Sequence, residues 1–267
     1  MAISAKDVKN LRERTGMGMM ECKAALTETG GDFDAAVDLL RAKAKGKMDE
    51  RTDREASEGM VVVASAEDGS AVAMIELSAE TDFTARNDDF VAAAQKIAQI
   101  VLAGNDGAAE ANDEITKLVD DVRLTTKENI SMRRAFKMSG GTLGSYVHHN
   151  NKIGVILQAE GEIEADLRTG ICQHVAGNVP TPQAVDESGL DADLVAQEKA
   201  AAQAEAEASG KPAEIAEKIA TGKLRKFIQE NTLLGQKYVR DETGKTIKEV
   251  LPKGATVQSF VRFELGS

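Results

Sequence analysis

Candidate inward-facing residues recur at helical spacing three times near the start of the chain: Val8, Leu11 and Thr15, then Met19, Cys22 and Leu26, then Phe33, Val37 and Leu40. Thr15-Gly16 separates the first two sets, and Gly30-Gly31-Asp32 stops the second and caps the third. The spacing predicts a three-helix bundle over residues 1–42, close to the size below which domains seldom stand alone. Residues 43–58 hold five basic and five acidic side chains and no apolar stripe, the pattern of a linker or a solvated helix.

From residue 59 the period changes. Residues 60–63, a turn at Glu67-Asp68-Gly69-Ser70, and residues 72–77 predict a β-hairpin. One helix is expected over 83–103, with Phe83, Phe90, Ala94, Ile97 and Val101 as the stripe that packs on the sheet. A second covers 113–124, and the alternation of Ile130, Met132, Arg134, Phe136 and Met138 predicts a third strand. The order then returns. Residues 143–148 and 153–157 predict another hairpin, and Ile163, Leu167, Ile171 and Val175 a helix closed by Pro180 and Pro182. A last strand over 257–265 should bury Val257, Val261, Phe263 and Leu265. The repeated order reads as a divergent internal duplication.

Between the second lobe's helix and its last strand, residues 194–208 are nearly all Ala, Glu, Gln and Lys, Ser209-Gly210-Lys211-Pro212 makes a turn, and a helix returns over 213–229. This predicts an antiparallel helical hairpin whose facing alanines let the backbones approach. The fold class expected is therefore α+β, in five parts: the bundle (1–42), the charged linker (43–58), two core lobes with small antiparallel sheets (59–140, and 141–185 with 231–267), and the inserted hairpin (186–230).

Composition narrows the partners. The 42% of hydrophobic residues include seven Phe, two Tyr and no Trp, so the core is aliphatic. A net charge of −11 repels phosphate backbones, which argues against direct nucleic-acid binding. Cys22 and Cys172 lack neighbours at metal-ligand spacing and read as reduced, buried thiols. The start has no signal-peptide pattern, and no segment approaches the roughly 18 apolar residues of a membrane span, so a cytoplasmic location is expected.

The most informative stretch is Glu76-Leu77-Ser78-Ala79-Glu80-Thr81-Asp82-Phe83-Thr84-Ala85-Arg86-Asn87, where an apolar strand ends and an acidic, capped helix begins with a phenylalanine in its first turn. From these residues alone Phe83 reads either as core, sharing a stripe with Phe90, or as a ring pushed outward; Asp82 reads as an N-cap. Met19 and Met20 fit either core or adaptable surface, and being adjacent they cannot both face inward. His148 and His149 read as solvated turn residues.

That stretch resembles the Thr-Asp-Phe signature of the elongation factor Ts family, the nucleotide exchange factors of bacterial elongation factor Tu. Further motifs follow in the family's order: Leu11-Arg12-Glu13-Arg14-Thr15-Gly16 with Met19-Met20-Glu21-Cys22-Lys23-Ala24-Ala25-Leu26, Glu128-Asn129-Ile130 with Arg133-Arg134, Gly144-Ser145-Tyr146 with His148, Ser209-Gly210-Lys211-Pro212 with Ile215-Ala216-Glu217-Lys218, and Phe260-Val261-Arg262-Phe263-Glu264. The resemblance implies a ubiquitin-associated-like bundle, a two-lobed core and a coiled-coil arm. It implies binding to elongation factor Tu, GDP-bound or nucleotide-free, with Thr81, Asp82 and Phe83 reaching its nucleotide and magnesium site. Leu11, Met19 and Met20 would supply the bundle's contact surface and His148 a contact from the other lobe. No cofactor and no catalytic chemistry are implied.

The chain departs from the family pattern at Thr84, where Val is usual, and at Lys127, where Gly is common; His148-His149 with Asn150-Asn151 lengthens a turn and leaves open which histidine faces the partner. The chain stops at Ser267, directly after the last strand, where some members carry a further helical module. Two other classes remain: a different interaction protein reusing bundle and arm, and an enzyme using Glu80 or Asp82 with a histidine. The exchange-factor reading requires Asp82 and Phe83 exposed in one patch with Met19 or Met20 and His148, whereas an enzyme requires a concave pocket at those carboxylates.

Overall fold

The computed structural model describes residues 3–49 and 51–267; residues 1 and 2 of the expected bundle and residue 50 of the expected linker lie outside them. Three helices open the chain: α1 (Ala5–Thr15), α2 (Met19–Glu28) and α3 (Phe33–Asp49). Ser4 and Asp7 form a reciprocal capping box at the start of α1, and Gly16 ends it in the left-handed conformation (φ 65°). Leu11, Cys22, Ala25, Leu26 and Leu40 are buried between the three helices. The buried Thr15 hydroxyl is satisfied by donating to the Leu11 carbonyl at 2.7 Å.

The third helix does not stop near residue 42. It runs through the first part of the expected linker to Asp49, because Ala44 continues its buried face and packs with Leu124.

The first lobe contains β1 (Glu58–Ser65), β2 (Ala71–Ala79), α4 (Asp82–Ala85), α5 (Asp88–Ala103), β3 (Gly107–Ala108), α6 (Asp113–Thr126) and β4 (Ser131–Ser139). Its strands form an antiparallel sheet in the order β1-β2-β4-β3. The second lobe contains β5 (Thr142–Val147), β6 (Ile153–Glu160), α7 (Ala165–Gly177), α8 (Ala192–Ala208), α9 (Ala213–Asn231), α10 (Ile247–Val250) and β7 (Thr256–Glu264). Its sheet, also antiparallel, has the order β5-β6-β7. The protein is thus a mixed α and β structure with two small antiparallel sheets.

The sheets are layered between helices. One face of the first packs Ala73, Ile75 and Leu77 against Phe90, Ala94 and Ile97 of α5 and Ile115 and Val119 of α6. Its other face sets Val61, Val72 and Met74 against Ile156 and Phe263 of the second sheet. The far face of the second sheet packs Val155 and Leu157 against Ile171 and Val175 of α7. Gly154 permits this close stacking: a Cβ there would lie 2.5 Å from Val61 Cγ1 and 2.8 Å from Met74 Sδ.

Further expectations change. The helix expected over 83–103 is two helices, because Asn87 turns out of the helix and caps a new one by accepting the Asp89 N–H at 2.9 Å. Phe83 therefore leaves the stripe. In β7 the expected single apolar face is also broken. A bulge opposite Gln158 and Ala159 places Val257 with the α7 core, whereas Val261 and Phe263 face the first sheet.

Helices α8 and α9 pack on each other through buried Ala202, Ala206 and Ala216. Their base is tied to the second lobe by Leu233 N–H to Ala184 O at 2.8 Å and by Gln183 Nε2 to Asn231 Oδ1 at 2.9 Å.

Candidate functional site

Helix α4 is a single turn projecting from the end of β2. Thr81 is its N-cap, accepting the Thr84 N–H on its hydroxyl at 3.3 Å. Asp82 begins the helix, complements its dipole and pairs with Arg86 at 3.1 Å, an exposed contact that contributes little alone. Phe83 follows at 84% exposure. A large apolar side chain at that exposure on a fixed turn gives up the burial that the hydrophobic effect would favour.

The turn is fixed by a residue whose role the sequence did not reveal. The Glu128 carboxylate accepts the Glu80 and Thr81 N–H groups on Oε2, both at 3.1 Å, and the Thr81 and Thr84 hydroxyls on Oε1, both at 2.7 Å. In return, Glu80 Oε1 accepts the Asn129 N–H at 2.6 Å. Asn129 Nδ2 also donates to the carbonyls of Thr52 and Arg54 at 3.1 and 2.7 Å. Thr84, where the family usually has Val, uses its hydroxyl in this network. Lys127 closes α6 in the left-handed conformation (φ 61°), one that glycine adopts without strain. The signal in the sequence was the Glu128-Asn129 pair between α6 and β4, legible as a motif but not as a partner of Thr81.

The second lobe reaches the same place. In the β5–β6 turn the His148 N–H donates to Ile153 O at 2.8 Å, Asn151 sits at φ 57°, and its carbonyl accepts the Val61 N–H of β1 at 2.7 Å. A cleft of about 460 Å³ lies between turn and helix, lined on one side by Asp82, Ala85 and Arg86 and on the other by His149, Asn150 and Lys152. Lys152 pairs with Glu58 at 2.8 Å. His149 is thus the histidine that shares a cleft with Asp82. His148 is half-buried, its Nδ1 2.9 Å from the Tyr146 hydroxyl.

The bundle residues divide. Met20 is 76% exposed and Met19 45%, whereas Leu11 is fully buried in the bundle core and is no part of the surface they present. Leu11 lies inward because it shares the α1 face of Val8 and Thr15. Met19 and Met20 do not line the Asp82 cleft. The end of α6 lies between: Leu124 and Lys127 line a groove with Gly18 and Glu21 of the bundle, and the next residue, Glu128, holds α4.

The cleft beside Asp82 is the concavity an enzyme would need, but its charged groups Asp82, Arg86, Glu58 and Lys152 are paired with one another. Among the described residues no group of three or more His, Cys, Asp or Glu is placed to hold a metal ion, and no helix is long and apolar enough to cross a membrane.

The profile of the family described as "Elongation factor TS" matches residues 80–267. Over its whole length the chain is 42% identical to elongation factor Ts of Methylococcus capsulatus, and 43% identical to those of Thioalkalivibrio sulfidiphilus and Alkalilimnicola ehrlichii, covering 93% of each. The exposed Asp82-Phe83 turn is thus carried by a chain that, by profile and by full-length identity, belongs to the elongation factor Ts family.

Proposed function

We propose that the chain binds elongation factor Tu, in its GDP-bound and nucleotide-free states, and promotes exchange of GDP for GTP by disturbing the partner's magnesium and nucleotide site. The observation that carries this reading is Phe83, 84% exposed beside Asp82 on a turn held by hydrogen bonds at both ends. Guanine nucleotides are held by a phosphate-binding loop and a magnesium ion bridging phosphate oxygens to protein. Phe83 wedged among partner side chains shifts the element that holds the ion, and Asp82 redirects the polar contacts beside it. Nucleotide affinity falls, with no bond made or broken by this chain.

Thr81 fixes the turn, Met19 and Met20 give a second, adaptable contact on the bundle, and Leu11 supports them from its core. From the second lobe the histidine contact, expected of His148, falls more naturally to His149, which lines the Asp82 cleft. In this reading the parts are a ubiquitin-associated-like bundle continued to Asp49, a short charged linker, a duplicated core (59–140, and 141–185 with 231–267) and a coiled-coil arm (186–230). The matching strand orders β1-β2-β4 and β5-β6-β7 support duplication, and the buried alanines of α8 and α9 support the coiled coil. The protein works in the cytoplasm, without cofactor, nucleic acid or membrane.

Binding free energies are reciprocal, so nucleotide must weaken this chain's hold as much as the chain weakens nucleotide. Titrating the chain into elongation factor Tu at rising GDP concentration tests this: its apparent affinity should fall as GDP rises. An affinity independent of GDP would remove the exchange reading and leave a plain binding module.

A further inference from the structure

We propose that Glu128 is a positioning residue for exchange, its carboxylate holding residues 80–84 in the conformation that keeps Phe83 outside. The proposal rests on the reading of Phe83 given above. Helix α4 has four residues, too few for a helix to hold itself, and an exposed Phe83 adds no burial to keep it there. The competing arrangement is a continuous helix in which Phe83 joins the stripe of Phe90, Ala94 and Ile97, a face already buried on the sheet. Some other interaction must favour the broken arrangement.

Glu128 supplies it from outside the segment. Its four accepted hydrogen bonds come from the backbone before α4, the N-cap and the third helical residue, so they bracket Phe83. A continuous helix through 81–87 would move these donors off the carboxylate. Glu128 is itself anchored, since Lys127 turns the chain out of α6 and the Asn129 N–H is bound to Glu80. The two glutamates cross, each accepting from the backbone of the other's segment.

The geometry makes a distinctive prediction about which substitutions are tolerated. In Glu128→Gln the amide oxygen can accept the two N–H groups, and the amide NH2 can donate to the two threonine hydroxyls, which rotate to accept. In Glu128→Asp the charge remains, but the oxygens are withdrawn by one methylene. Hydrogen-bond reach, not charge, then decides activity.

The test is release of fluorescent GDP from elongation factor Tu at saturating factor, with Phe83→Ala as control and hydrogen exchange read at the Glu80 and Thr81 amides. Glu128→Ala and Glu128→Asp are expected to lower the saturating rate about tenfold, as misplacement of a contacting group does, with half-saturation moved far less. Glu128→Gln should stay within about twofold of wild type, since its hydrogen bonds survive. The Glu80 and Thr81 amides should lose protection in the Ala and Asp variants and keep it in Gln, with α5 amides protected throughout. Should Glu128→Ala fail to fold, the Asp and Gln variants carry the comparison. A wild-type rate in Glu128→Asp, or a Glu128→Gln as slow as Asp, overturns the proposal alone. A wild-type chain without effect, or a Phe83→Ala at full speed, overturns the underlying reading and this proposal with it.

Discussion

Phe83 and Phe90 would share one face of a continuous helix, yet Phe83 is 84% exposed and Phe90 is fully buried. The Asn87 cap separates them, and the two rings have opposite consequences for stability. Phe90→Ala is expected to cost about 3–5 kcal/mol, the range for emptying an aromatic core position. Phe83→Ala should change stability by no more than about 0.5 kcal/mol, as for an exposed site. Urea unfolding of the two variants checks this. Equal losses would mean that Phe83 is packed.

Asp121 of α6 ties the bundle to the first lobe. Its Oδ2 accepts Arg14 of α1 at 3.0 Å, and its Oδ1 accepts Arg41 of α3. Arg14 is largely exposed and its pair is worth little, but Arg41 and Asp121 are both mostly buried. Asp121→Ala leaves the Arg41 guanidinium without that partner, and a loss of about 1–3 kcal/mol is expected. The segment around residues 51–58 should also be cleaved faster by trypsin. Unchanged stability and cleavage would show that the bundle is held by other contacts.

Lys127 occupies a left-handed C-cap. Relief of that strain, less the backbone entropy of glycine, predicts that Lys127→Gly stabilises the protein by about 0.5–1 kcal/mol. Thermal unfolding would register this as a rise in Tm; a fall would indicate that the lysine side chain contributes more than its backbone costs.

His174 predicts the pH dependence. It is fully buried in α7, its Nδ1 accepts the Val239 N–H at 3.2 Å, and its Nε2, which therefore carries the proton, donates to Gln236 Oε1 at 2.8 Å. Burial lowers its pKa below the usual histidine value, partly opposed by the bond to Gln236. The unfolded chain takes up a proton near pH 6.5 that the folded ring refuses, so stability falls as pH drops below about 6.5, by at most about 1.4 kcal/mol per pH unit. The carboxyls of Asp7, Asp241 and Glu249, lowered by hydrogen bonds from Ser4, Thr243 and Thr246 respectively, act in a separate window below the ordinary carboxylate range. Urea titrations across pH 7.5 to 5, with the His174 ring followed by NMR, check the assignment. A ring titrating at or above the usual histidine value would refute it.

Much of the architecture is legible because helix and strand periods differ: Val8, Leu11 and Cys22 mark the bundle, and the alternation from Ile130 to Met138 marks β4, although a bulge at Arg133 turns Ile130 and Met132 toward α5 and Phe136 and Met138 toward the second sheet. What fails is local and has local causes. Phe83 is open because a stripe cannot reveal that Asn87 will interrupt it, and the bulge at Gln258, opposite Gln158 and Ala159, moves Val257 to the other face without changing the alternation. The short β3 and α10 carry too few residues for any period. At the site, Thr81, Asp82 and Phe83 are adjacent and readable; Glu128 is distant in sequence, and only the fold brings its carboxylate to them. Leu11 shows the converse, a motif residue that serves the core.

Phe83 is proposed to drive nucleotide exchange in elongation factor Tu. The most direct test is release of fluorescent GDP from elongation factor Tu into excess unlabelled nucleotide, with wild-type chain and with Phe83→Ala of matched stability. A large acceleration by the wild type, lost in Phe83→Ala, is expected. No acceleration by the folded wild-type chain, or an undiminished one by Phe83→Ala, would contradict it.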